Sequence, residues 1–189
     1  MTLWAFKVKK FLQKYSYQSV TLFVNQIAIA LFAISLAFAA GMAENEGLKI
    51  VTSALSVVFL LFIDFTGVWK LGAEDRVSID LGKEKLDLSV PVKMWALSNS
   101  LNLLLALLYT LGALVEPLSG LRVCSVIALL VHGEYMGLLS LEVAGITLNT
   151  LWYMYFLITI PTLITVFVAY LLGAKNIGIG KVLAPKKNK

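Results

Sequence analysis

Cysteine and histidine each occur once, as Cys124 and His132, and this scarcity removes whole classes of chemistry. One cysteine allows no intrachain disulfide and no cysteine-based metal site, and a histidine-rich zinc site would need other subunits. Charge is scarce too: 14% of the residues are charged against 59% hydrophobic. A soluble domain carries about 25% charged residues, so this composition points to the membrane class. Catalytic signatures are also missing. There is no GxSxG, HExxH, P-loop or dinucleotide fingerprint, and no local Cys–His or Ser–His–Asp arrangement. No basic module interleaved with aromatics offers itself to nucleic acid. A non-enzymatic protein without cofactor or metal is expected.

What the chain does have is a charge pattern. Of 16 Lys and Arg residues, 14 fall in residues 1–19, 69–93 and 173–189, separated by bilayer-length apolar stretches. Spanning helices need ~20 apolar residues, and cytoplasmic flanks collect Lys and Arg. The pattern predicts an all-α integral membrane protein of the cell membrane, one domain over 1–189. Four transmembrane helices are expected, at 20–41, 50–68, 96–115 and 151–172, with both termini cytoplasmic. The basic segments hold 14 basic and 5 acidic residues, a net of +9. Such an inner face suits anionic lipid headgroups. Ala37-Phe38-Ala39 mimics a signal-peptide cleavage site, but the apolar run before it is longer than a usual signal core. An uncleaved span is expected.

Finer patterns add elements. In residues 3–15, Trp4, Val8, Phe11, Leu12 and Tyr15 share one helical face beside Lys7, Lys10 and Lys14, which predicts an N-terminal interfacial helix. Ala33, Ala37 and Gly41 would let span 1 pack closely. Pro161 would kink span 4, with Thr159, Thr162 and Thr165 near the freed backbone groups. Between spans 2 and 3, Val77, Ile79 and Leu81 alternate with polar residues, as do Leu86, Leu88 and Val90. A cytoplasmic β-hairpin over 77–90 is predicted, with all six apolar residues on one docking face. Residues 118–147 are apolar but interrupted by Arg122, His132-Gly133-Glu134 and Glu142. A fifth span would bury these charges and export the basic C-terminus, so a re-entrant or surface helical pair meeting at His132-Gly133-Glu134 is expected on the outer side.

Trp69-Lys70-x-Gly72-x-x-Asp75-Arg76 closes span 2, and Tyr170-Leu-Leu-Gly173-x-x-x-Ile177-Gly178 closes the last span. This layout resembles small, uncharacterised multi-pass membrane proteins of Gram-positive, clostridial-type bacteria. There W-x-x-G-x-x-D-R/N precedes a short basic loop and Y-x-x-G ends the final helix. Asn often follows the Asp-Arg in that pattern, whereas Val77 stands here. The resemblance implies a bacterial cytoplasmic membrane and no particular activity. The terminal Lys186-Lys187-Asn188-Lys189 also resembles a eukaryotic dilysine tail, although basic tails are common on inside termini.

Two groups of residues could carry function. Asn25, Gln26, Asp64, Asn99 and Asn102 fall at one depth if the helices run antiparallel, forming a polar layer. Ionisable residues inside spans usually face a bundle interior or a watery cavity, whereas amides often only join helices. His132 and Glu134 form an outer turn that could supply a ligand pair or a general base, but an exposed polar turn is expected. The expected role is an accessory or assembly subunit of a membrane complex, with a protein partner or as a homo-oligomer. The alternative is a small oligomeric transporter or channel using the layer around Asp64.

Overall fold

The computed structural model describes residues 3–177. Gly178 and the Lys186-Lys187-Asn188-Lys189 tail lie outside the described residues, as do the side chains of Trp4 and Lys7. Two long antiparallel helices frame the molecule: α1 (Leu3–Met42) and α2 (Glu46–Asp80). Asn45 caps the start of α2, its side chain accepting the Leu48 N–H at 3.0 Å and so satisfying a free donor of the first turn. Residues 3–15 do not form a separate interfacial helix. They are the first turns of an unbroken α1, since no Gly or Pro interrupts the stretch from Tyr15 to Val20.

Three stretches are long and apolar enough to cross a membrane: Val8–Met42, Glu46–Asp80 and Met154–Ala174. Two bent pairs raise the number to as many as five. The outward faces fit lipid: Leu31, Phe32 and Phe38 on α1 and Leu55, Val58 and Phe62 on α2 are exposed.

The predicted hairpin over 77–90 is absent. Val77 and Ile79 lie on α2, which runs to Asp80, and residues 81–88 make an irregular turn before α3 (Ser89–Ser98) begins. Gly82, which lies between the two alternating runs, terminates a helix. With φ of 69° it lets its own N–H reach the Ile79 carbonyl at 2.9 Å and the Lys83 N–H reach Ser78 at 3.0 Å. This double bond pattern is the Schellman helix stop. The six apolar residues therefore share no face: Val90 is buried, while Val77, Leu81, Leu86 and Leu88 are exposed.

The expected span over 96–115 is bent. α3 and α4 (Ser100–Leu114) meet at 64° around Asn99, whose side-chain amide donates to the Trp95 carbonyl at 3.1 Å. Asparagine competes with the backbone for its hydrogen bonds, and the helix breaks there. After α4 the chain doubles back. A 3-10 helix (Glu116–Val123) lies along α4, with Arg122 Nε donating to the Gly112 carbonyl at 3.0 Å, and α5 (Cys124–Val131) continues it. An 85° bend follows at His132, and a 3-10 turn (Gly133–Tyr135) and α6 (Met136–Leu139) lead back.

The direction of return is set by its neighbours. Gly133 lies against Ala30 and Ile34 of α1, while Gly137 lies against Lys49 and Ser53, near the α1–α2 turn. The Gly137 N–H donates to Ser53 Oγ at 2.7 Å, so a helix side chain satisfies backbone that a non-helical arm would leave open. The bend thus falls on the expected triplet, and both arms point toward the α1–α2 turn. The strands among the described residues are β1 (Glu142–Val143) and β2 (Ile146–Thr147), paired around Ala144 and Gly145, both at positive φ as a two-residue hairpin turn requires.

The last stretch comprises α7 (Met154–Leu157) and α8 (Ile160–Ala174), broken immediately before Pro161. Trp95 Nε1 reaches the Thr159 carbonyl at 3.2 Å and Thr162 Oγ1 at 3.1 Å, tying α3 to the break. α8 crosses α2 at a pair of glycines. A Cβ on Gly72 would strike the Tyr170 carbonyl, and one on Gly173 would strike the Trp69 carbonyl. Two apolar cores result. One, around Tyr15, Val68, Met94 and Val166, fills the basic end, where α1 starts and α2 and α8 finish. The other, around Leu105, Tyr109, Tyr135 and Tyr155, fills the end of the α1–α2 turn.

Candidate functional site in the bundle interior

Between the two apolar cores lies a connected set of polar side chains. Asn25 Nδ2 on α1 donates to Asp64 Oδ1 on α2 at 3.2 Å. The next residue, Gln26, turns inward and accepts from Asn102 Nδ2 at 2.8 Å, and Asn102 donates also to Asn99 Oδ1 at 3.0 Å. Asn25 and Asp64 form one hydrogen-bonded pair, and Gln26, Asn102 and Asn99 form a second group that begins at the next residue of α1. All but Asn25, which is half-buried, are buried.

His132 and Glu134 correct the expectation of an exposed outer turn. They are 3% and 0% exposed, and the 85° bend at His132 delivers them into the same layer. Gln26 Nε2 stands 3.1 Å from His132 Nδ1, which stands 3.3 Å from Glu134 Oε1. Gln26 is 16 residues from the end of α1, about 24 Å at 1.5 Å per residue. The tip is therefore deep in the bundle. Hydropathy could not place it, because an apolar arm ending in His-Gly-Glu looks alike on a surface and at a re-entrant tip.

Protons around His132 have two consistent arrangements. If Nδ1 carries the hydrogen, it donates to Glu134, and the Gln26 amide cannot donate to it. If Nδ1 is bare, Nε2 carries the ring hydrogen and the single lone pair of Nδ1 accepts from Gln26. Asp64 lies within electrostatic reach of Glu134, and no described Lys or Arg pairs with Asp64. Lys70, a conceivable partner, is exposed and does not reach it. Four buried polar atoms find no partner among the described residues: Asn102 Oδ1, His132 Nε2, Glu134 Oε2 and Tyr135 OH. Buried polar groups normally have partners, so these four atoms are unusual in a bundle interior. Among the described residues no group of three His, Cys, Asp or Glu residues is arranged to hold a metal ion.

A second cluster escaped the sequence reading. At the basic end, Asp75 Oδ2 accepts from Tyr15 OH at 2.8 Å and Tyr170 OH at 2.7 Å, and Asp75 Oδ1 pairs with Lys14 Nζ at 2.9 Å. Lys14 also pairs with Glu84 in the 81–88 turn, and Lys10 reaches Glu84 at 3.2 Å. The two motifs flagged at the helix ends thus lock together. Gly72 meets Gly173, Asp75 holds Tyr170, and Trp69 Nε1 donates to the Ile177 carbonyl at 3.1 Å. Comparison with family models, curated proteins and solved structures finds no match.

Proposed function

We propose that this is a non-enzymatic, four-span protein of a bacterial cytoplasmic membrane, both termini inside, that moves protons or a small cation through the layer around Asp64 and Glu134. One observation carries the reading: a bent segment brings His132 and Glu134 to Gln26, leaving unpaired buried polar atoms beside two carboxyls. A charge on either carboxyl needs a compensating proton or cation inside the bundle, and exchanging that companion is transport.

The accessory or assembly subunit keeps the amphipathic N-terminal flank as a docking surface but not the hairpin face, since the six apolar residues of 77–90 share no face. Liposomes containing a pH-sensitive dye, reconstituted with the protein and given proton, sodium or potassium gradients, test the proposal. Ion movement above that of empty liposomes supports it. No movement of any of the three, together with a stoichiometric partner in mild detergent, returns the protein to the subunit class.

A further inference from the structure

A cavity of about 580 Å³ opens at the basic end, between the first turns of α1, the end of α2, the 81–88 turn and the start of α3. Its size is that of a small-molecule site. Five lysines line it, Lys10, Lys14, Lys83, Lys85 and Lys93, against three carboxylates, Asp75, Glu84 and Asp87. All three carboxylates have partners, Asp87 accepting from the Ser89 N–H at 2.9 Å and from Ser89 Oγ at 2.6 Å. Asp75 is held by Lys14 and two tyrosine hydroxyls, and Glu84 by Lys14 and Lys10. Lys93 is exposed, donating to Ser89 Oγ at 2.7 Å and standing 5.9 Å over the Phe11 ring. Lys83 and Lys85 make no ion pair with a described residue and are exposed at the rim. Phe11, Ile79 and Val90 supply an apolar wall.

We infer that this cavity binds a phosphate ester, the phosphate seated between Lys83, Lys85 and Lys93 and its organic portion against Phe11 and Val90. Ammonium groups without an ion-pair partner are suited to phosphate oxygens as point charges, and the cavity beneath these exposed lysines distinguishes the site from a flat basic surface. The same chemistry fits an anionic phospholipid headgroup entering from the membrane or a soluble phosphate ester entering from water. It is independent of ion movement through the bundle interior.

The test compares K83A/K85A with K9A/K70A, which removes two lysines outside the cavity lining from the same basic segments. Each full-length protein is placed in nanodiscs of phosphatidylcholine with or without phosphatidylglycerol, and separately in detergent with inorganic phosphate or glycerol 3-phosphate. Thermal unfolding and lipid retention in native mass spectrometry are read. Phosphatidylglycerol, or a soluble phosphate, should stabilise the wild type and K9A/K70A, while K83A/K85A binds about tenfold more weakly, the scale of one lost charged contact. Stabilisation by phosphatidylglycerol alone identifies a lipid, and stabilisation by the soluble phosphates as well identifies a water-borne ester. Equal loss in both double variants, or no stabilisation by any probe, overturns the proposal.

Discussion

Asp64 and Glu134 reach one polar layer by different routes, and their side chains are not equivalent. Asp64 projects from a long regular helix and has one amide partner, Asn25. Glu134 sits at the tip of a bend with one oxygen toward His132 and the other unpaired. Asparagine keeps the shape of Asp64 and its contact with Asn25, so Asp64→Asn should unfold in detergent at nearly the wild-type temperature. Asp64→Ala should lose about 0.5–2 kcal/mol, the scale of interhelical hydrogen bonds in membranes. Equal losses in both variants would mean that charge, not the hydrogen bond, matters to the fold. Glu84 offers a pH test at the opposite extreme of exposure. Lys14, then Lys10, hold its carboxyl below the ordinary 4.5. A lowered folded value means that the contact contributes fully above the unfolded value and is lost as pH falls through the folded one. Hydrogen exchange in the 81–88 turn should therefore stay slow down to about pH 4.5 and accelerate below it. Unchanged exchange on acidification would contradict the tether.

Among the elements, the crossing of α2 and α8 is the most tightly specified. Gly72→Ala or Gly173→Ala forces the helices apart, and each should cost about 1–3 kcal/mol as overpacking does. Substitution of the exposed Gly120, which meets open space, should cost far less in the same thermal measurement. The sequence made this crossing visible as two motifs without revealing that they touch, because pairing between distant helix ends is not written in local spacing. The polar layer was more legible. Asn25 and Asp64 stand out against apolar surroundings, and antiparallel threading alone brings them level. His132 and Glu134 were misplaced because depth depends on how an arm folds back against Ala30 and Ser53, a tertiary fact. The hairpin was misread for a different reason. A helix end followed by a turn and a helix start can alternate at period two over a few residues, and Gly82 serves a helix stop as readily as a strand turn.

At the scale of the molecule, two apolar cores enclose a polar layer, and the bent segment over 116–139 is the piece that completes it. Single cysteines in a Cys124→Ser background report this arrangement. Positions 10 and 84 should label from the inside and position 45 from the outside, whereas position 134 should resist aqueous reagents from both sides. Ready labelling at 134 would return the triplet to the surface and empty the layer of its second carboxyl. Ion movement in sealed vesicles, wild type against Glu134→Gln, tests the central claim most directly. Glutamine fills the same volume but can neither hold a charge nor exchange a proton. The account predicts that the wild type dissipates an imposed proton or cation gradient and that Glu134→Gln, folded to the same thermal stability, does not. Equal dissipation by the two proteins would contradict it.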